Sequence, residues 1–293
     1  MKKIFFIAVV MIILASVSAK KEKTHGLFFE DFKKKSSKFF TANSRSKGAD
    51  SRYAFGIESP SEAGTKILSF KIDPDDPAGA GKGPEIISKH FTHFGTYAAR
   101  IKVPDVSKIQ PNVGAVVGYF TYHMDSDPGL SEIDYEWLIA DPEIVYIGTW
   151  TGPRGKLERI GRTLNLTTGT IYSTSYRAGH EGERIKLEGA QNQPETVPAI
   201  EGYNAAKQFY TYGFDWYPNR IRWWIIHPRT ADTVILWDYQ GSQLGIPQNH
   251  SHYRLNFWHT NNWPVEGNPN SIEKPRDKYE LEIDWMSYKP LKK

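Results

Sequence analysis

Glu132, Asp134 and Glu136 occupy alternate positions in the run Leu130-Ser131-Glu132-Ile133-Asp134-Tyr135-Glu136-Trp137-Leu138-Ile139. Successive side chains of an extended strand point to opposite faces, so this spacing places all three carboxyl groups on one face. Ile133, Tyr135, Trp137 and Ile139 share the other, an apolar and β-favouring surface suited to a core. No Lys or Arg within the run compensates the acids. Carboxylates brought together repel and raise one another's pKa, so folding gains nothing from them. Chains tolerate such a cost chiefly where the groups act.

Residues i and i+4 of a strand lie roughly 13 Å apart at the backbone. If both glutamates lean inward by about 4 Å, their carboxyls come to roughly 5 Å. A separation of about 5–5.5 Å suits a nucleophile and an acid/base working on one glycosidic bond with retention, whereas inversion needs roughly 6.5–9.5 Å to admit a water. Asp134, lying between them, can hydrogen-bond either and helps push their pKa values apart, which divides the roles. The plainer readings of three acids on one strand face are a solvated edge or a cation site. Aromatic neighbouring segments and the apolar back weigh against the first. Calcium usually gathers loop carboxylates and carbonyls, which weighs against the second.

The elements that must hold these acids read as short strands separated by Gly, Pro, Asn and Asp. They cover 65–72, 84–88, 95–103, 114–122, 132–139, 144–150, 206–216, 220–227, 233–239, 253–258 and 279–288. Many short strands with turn signals predict an all-β sandwich or jelly roll. Residues 152–204 show little periodicity and read as long loops over one end of a cleft, with at most an irregular strand pair. No repeat and no second domain boundary is evident, so 20–293 is taken as one jelly-roll domain.

Met1-Lys2-Lys3, an apolar run from Ile4 to Val17 and Ser18-Ala19 form a secretory signal peptide over 1–19, the alternative being an uncleaved anchor. The run is too short and wrongly flanked for a membrane span. Cleavage after Ala19 leaves 274 of the 293 residues and removes Lys2 and Lys3, so the net charge falls from +4 to +2. That balance gives no reason to expect nucleic acid as a partner. The expectation is a secreted or periplasmic monomer, off the membrane once the signal is cut. No cysteine is present, so disulfides and lipid attachment at Cys are excluded. Aromatic residues make up 14% of the chain, with nine Trp, a composition that fits sugar stacking as well as core packing.

The acidic strand and its surroundings resemble glycoside hydrolase family 16, and within it the lichenase type (endo-1,3-1,4-β-glucanases). Beside the motif, Gly95-Thr96-Tyr97-Ala98-Ala99-Arg100-Ile101-Lys102 and Gly118-Tyr119-Phe120-Thr121-Tyr122 are similar to the strands that precede it. Tyr210-Thr211-Tyr212-Gly213-Phe214-Asp215-Trp216, Leu255-Asn256-Phe257-Trp258 and Glu282-Ile283-Asp284-Trp285 are similar to later strands, in the family's order. The motif lacks an extra residue between Asp134 and Glu136. The unbulged form resembles the lichenase, xyloglucan and chitin–glucan transfer branches, and the last two usually carry cysteines.

The resemblance implies a concanavalin A-like jelly roll with a concave cleft, acting on β-glucan polysaccharide with no cofactor for catalysis. It implies Glu132 as nucleophile and Glu136 as general acid/base, assisted by Asp134; the residues alone leave open which glutamate is which. It implies Glu85, Tyr122, Trp150, Asn256, Trp258 and Trp263 as sugar contacts, although Trp150 and Trp258 read equally well as core. A buried amide at Asn256 among Leu and aromatics is harder to explain as packing. Asp284 matches a position that lichenases use for structural calcium, and a hydrogen-bonded Asp is the equal alternative. Trp216, Trp223, Trp224 and Trp285 are assigned to the core. The chain departs from the lichenase pattern at Glu85-Ile86-Ile87-Ser88, which lacks an arginine, at Gly148 in place of an Asn, and at Ser131 in place of an acid. The activity implied is a retaining endo-β-glucanase; a transglycosylase and a non-catalytic carbohydrate-binding sandwich are the alternatives.

Overall fold

Alternation of apolar and polar residues at a period of two recurs from one end of the chain to the other, and it yields strands almost throughout. The computed structural model describes residues 23–44 and 52–292; the segment read as a signal peptide lies outside the described residues.

The strands form two antiparallel sheets. One contains β3 (Tyr53–Glu58), β4 (Lys66–Ile72), β6 (Gly95–Lys102), β13 (Tyr210–Tyr217), β14 (Arg220–Ile226), β15 (Thr233–Gln240) and β17 (Tyr279–Pro290). Their order is β15-β14-β13-β6-β17-β4-β3, and β1 (Phe28–Glu30) also pairs with β17. The other contains β2 (Phe40–Ser44), β5 (Pro84–Ser88), β7 (Ala115–Met124), β8 (Leu130–Leu138), β9 (Ile144–Gly152), β10 (Glu158–Asn165), β11 (Thr170–Ala178), β12 (Ile185–Lys186) and β16 (His252–His259). Its order, β12-β11-β10-β9-β8-β7-β16-β5-β2, seats the acidic strand β8 in the middle. The fold is an all-β jelly-roll sandwich, as the strand pattern predicted.

The inward faces meet in one aromatic core. Tyr119, Ile133, Tyr135 and Trp137 project from one sheet and Tyr97, Tyr212, Phe214 and Trp223 from the other, all fully buried. Tyr135 stacks on Trp137 at 5.0 Å between ring centroids, and Trp137 meets Tyr212 edge-on at 4.7 Å. Trp223 crosses between the sheets: its Nε1 donates to the main-chain oxygen of Asp134 at 3.0 Å, tying the backbone of the acidic strand to the opposite sheet.

Two expectations are corrected. Within the segment read as long loops with at most an irregular strand pair, residues 158–178 are a hairpin of β10 and β11 that spans both strands, with one register shift between Thr163 and Leu164. Arg162 on β10 is buried, and its guanidinium donates to Thr174 Oγ1, Asn192 Oδ1 and the main-chain oxygens of Pro194 and Leu236 at 2.7–2.9 Å. The second correction is Trp285, which is half-buried, with its ring 5.3 Å from that of the exposed Phe29. A register shift in β17 between Ile283 and Trp285 adds a residue there, and Met286 takes the core position instead. Trp216, Trp223 and Trp224 are buried as expected.

Candidate active site

Residues directly opposite on neighbouring strands share a face, so the ladder registers assemble the site. Glu132, Asp134 and Glu136 lie opposite Tyr122, Phe120 and Gly118 of β7, and opposite Trp150, Gly148 and Tyr146 of β9. One strand further, Arg254 and Asn256 of β16 lie opposite Phe120 and Gly118, and Glu85 of β5 lies opposite Asn256. Beyond β9, Arg159 of β10 lies opposite Trp150, and Arg177 of β11 lies opposite Arg159. This outward face forms a concave cleft. A cavity of about 280 Å³ within it is lined by the three acids together with Glu85, Tyr122, Arg254, Asn256 and Trp258.

Asp134 is buried; Glu132 and Glu136 are half-buried at the cleft floor. Burial raises the pKa of all three. The charge of Glu136 adds to the rise at Glu132, and the charges of both glutamates add to the rise at Asp134, which stands well above the usual carboxyl range. Arg159 opposes the rise at each, and Arg254 opposes it at Glu132. The interaction of Asp134 with Glu132 favours the charged form of Glu132 and the protonated form of Asp134. The three groups titrate as one system, so the proton count belongs to the cluster. Arg254 and Asp134 favour an ionised Glu132, burial and the charge of Glu136 oppose it more strongly, and Glu132 ends higher than Glu136, so titration alone does not divide the roles.

Asn256 is placed by a missing side chain. A Cβ at Gly118 would lie 2.6 Å from Asn256 Oδ1, so only glycine leaves the amide its room beside Glu136. That Oδ1 is buried and has no hydrogen-bond partner within the protein. A buried acceptor in that state is ready for a donor from a ligand. Arg254 is fixed by Glu85 Oε1 at 3.1 Å from its Nη1 and by Tyr122, whose ring centroid is 4.9 Å from its Cζ.

Of the other expected contacts, Trp150 stands beside Glu132 on the cleft face, outside the 280 Å³ cavity. His180 lies 4.5 Å from its ring, and Arg159 and Arg177 flank it. Trp263 packs on Tyr146 at 5.3 Å, in a small apolar cluster that Trp258 shares. Asp284 is on the other sheet, where its Oδ2 accepts from Arg100 Nη1 at 2.6 Å, and Arg100 also pairs with Glu62. With a guanidinium against its carboxylate, Asp284 is an ion-pair partner and does not fit a calcium cage.

Arg254 and Arg159 were not anticipated. Arg254 alternates with Asn256 and Trp258, so the period of two was enough to find it. Arg159 lay hidden with its strand.

No family model matches the chain. A xylanase/β-glucanase of Ruminococcus flavefaciens is 25% identical over 144 residues, 49% of this chain and 12% of that protein. A β-glucanase of Bacillus licheniformis is 27% identical over 150 residues, 50% of this chain and 42% of that protein. The chain thus matches less than half the length of either relative. Among solved structures, a β-glucanase of Bacillus licheniformis aligns over 92% of this chain and 100% of its own, with TM-score 0.54 and 17% identity. A family 16 protein of a Bacteroides ovatus mixed-linkage glucan locus, solved with an oligosaccharide product, aligns over 89% and 99%, with TM-score 0.56 and 16% identity. A Crh5 transglycosylase aligns over 92% and 85%, with TM-score 0.51 and 16% identity. At these identities the structural likeness is one of fold. The resemblance to glycoside hydrolase family 16 of the lichenase type, first seen in the motifs, is borne out.

Proposed function

We propose that this chain is a secreted, retaining endo-β-glucanase that hydrolyses mixed-linkage or related β-glucan by double displacement. The observation that carries the reading is the row of three carboxyl groups on one face of β8, at the floor of a cleft that also offers the unpartnered Oδ1 of Asn256. Glu136 protonates the glycosidic oxygen while Glu132 attacks the anomeric carbon, and the leaving sugar departs with the proton. Glu136 then takes a proton from water, whose oxygen displaces Glu132 from the anomeric carbon. Asp134 keeps its own proton and donates to Glu132, which steadies the nucleophile's charge before attack. The glucanases named above support this reading through their likeness to the chain. Catalysis of this kind needs no cofactor.

We place the protein outside the cytoplasm on the strength of the signal-like residues 1–19, and propose that it acts as a monomer. Among the described residues no helix is long and apolar enough to cross a membrane.

The test is to incubate purified protein with barley-type glucan, laminarin, xyloglucan and chitin, following reducing-sugar release and the anomer formed first. Release of β-anomer from a β-glucan is the expected result, and α-anomer rejects retention. Longer oligosaccharides without reducing-sugar release mark a transglycosylase, the activity named for one protein of this fold. Glycan binding that survives Glu132→Gln, with no turnover by the parent, marks a carbohydrate-binding sandwich.

A further inference from the structure

We infer that the flank of the cleft beyond Glu132 binds anionic substituents of the glycan, sulfate esters or uronate carboxylates. The inference rests on the reading of this cleft as a glycan site and names the substrate class more narrowly.

Glu132, Trp150, Arg159 and Arg177 lie directly opposite one another on β8, β9, β10 and β11. They form a row across the strands, with neighbours roughly 4.8 Å apart at the backbone. The Cζ atoms of Arg159 and Arg177 are 5.6 Å and 5.2 Å from the Trp150 ring centroid. Arg184, one residue before β12, is close enough that its charge bears on Arg177. The row therefore runs from the proposed nucleophile, across an aromatic ring, onto two guanidinium groups, with the charge of Arg184 near the second.

These cations are poorly matched by the protein itself. Arg177 donates from Nη1 to the main-chain oxygen of His180 at 2.9 Å, and its Nε is buried without a partner. Among the described residues no carboxylate forms an ion pair with Arg159, Arg177 or Arg184. The exposed Glu181 attracts Arg177 from a distance, and Glu158 serves the other face, within reach of Tyr176. Like charges so gathered cost free energy, and stacking on Trp150 returns only part of it. Arg159 also acts on the three acids, so tuning them accounts for Arg159. It does not account for Arg177, which lies one strand further from the acids than Arg159. Planar guanidinium forks match sulfate and carboxylate oxygens, and a neutral glucan offers them only hydroxyl acceptors.

The experiment compares one β-glucan in three forms: unmodified, partly sulfated and partly carboxymethylated. For the parent, kcat/KM on a substituted form should exceed that on the unmodified form at least tenfold, and the sulfated and carboxymethylated arms tell the two sources apart. In the double variant Arg177→Gln, Arg184→Gln that ratio should fall at least fivefold, with thermal melting confirming that it folds. Arg177→Lys should retain part of it. Removing two charges beside the other sheet, Lys33→Gln with Lys34→Gln, should leave the ratio in place, which separates this flank from general attraction to a chain of sequence pI about 8.9. Turnover of unmodified glucan with no preference for either substituted form overturns the inference and leaves the glucanase reading standing. So does a preference that the double variant keeps. Failure to turn over or bind any of the three forms overturns both.

Discussion

A buried acceptor left without a partner costs about 1–3 kcal/mol, and Asn256 Oδ1 bears that cost within the protein. If the group serves the ligand, deleting it removes binding and not stability. Asn256→Ala should lower kcat/KM on glucan about tenfold, the worth of one hydrogen bond of roughly 1.4 kcal/mol, with the melting temperature unchanged or raised. A lower melting temperature with intact kinetics would make Asn256 a packing residue. Two positions along the ladder, Glu136 is asked to protonate a departing sugar. Glu136→Gln should cost about 10²–10⁴ in kcat on polysaccharide, and far less in the first step on an aryl glucoside whose leaving group needs no proton. Glu132→Gln should abolish both. If Glu132 shows the leaving-group split instead, the two roles are exchanged.

At the scale of elements, the flank of the cleft beyond β9 is the β10–β11 hairpin, and the hairpin depends on Arg162. Its buried guanidinium makes four hydrogen bonds, to β11, β15 and the segment 192–194, and its Cζ lies 5.4 Å from the Trp237 ring centroid. Burial draws its pKa down to about 10, so the charge persists at neutral pH. Arg162→Met should destabilise by about 3 kcal/mol or more in urea unfolding, because the partners are left buried and unpaired. Arg162→Lys should recover little, since an ammonium cannot reach that fork of acceptors. The same side chain explains why this hairpin was illegible in the sequence. Ile160, Arg162 and Leu164 point inward together, and a charge in the middle of a core face breaks the alternation that marks a strand. The acidic strand was legible because its period of two runs unbroken from Glu132 to Trp137, and that run marked the site. The short strands β1, β2 and β3 were missed, having three to six residues each. Trp285 was misplaced because a bulge shifts phase within β17 without a signal in residue type. Gly118 carries no chemistry of its own, and only the register that sets it against Asn256 reveals its use.

For the whole molecule, the acid row is a debt that the rest of the sandwich carries. Glu132 and Glu136 rise to about 8 and about 7, by burial first and, for Glu132, by the neighbouring charge. A carboxyl whose folded pKa exceeds its unfolded value binds its proton more tightly in the folded state. Stability is then unaffected below the unfolded pKa, near 4.5, and is lost as pH climbs toward the folded values. The window is therefore roughly pH 4.5 to 8, and the sign is opposite to that of a salt-bridged carboxylate. Both side chains still reach water through the cleft, and solvent screening there holds the loss to about 1 kcal/mol per residue. A glutamine in place of each glutamate mimics the protonated form at every pH. The variant Glu132→Gln, Glu136→Gln should melt at a higher temperature than the parent at pH 8, and the gap should close by pH 4. Comparing parent with variant cancels the other titrating groups, such as Glu282, whose pKa is lowered by Ser59, Ser61 and Lys102 and which acts in the opposite direction. A variant less stable than the parent at pH 8 would mean that Arg254 and Arg159 more than neutralise the row. The acids would then be part of what holds the sheet together, and their clustering would no longer argue for catalysis.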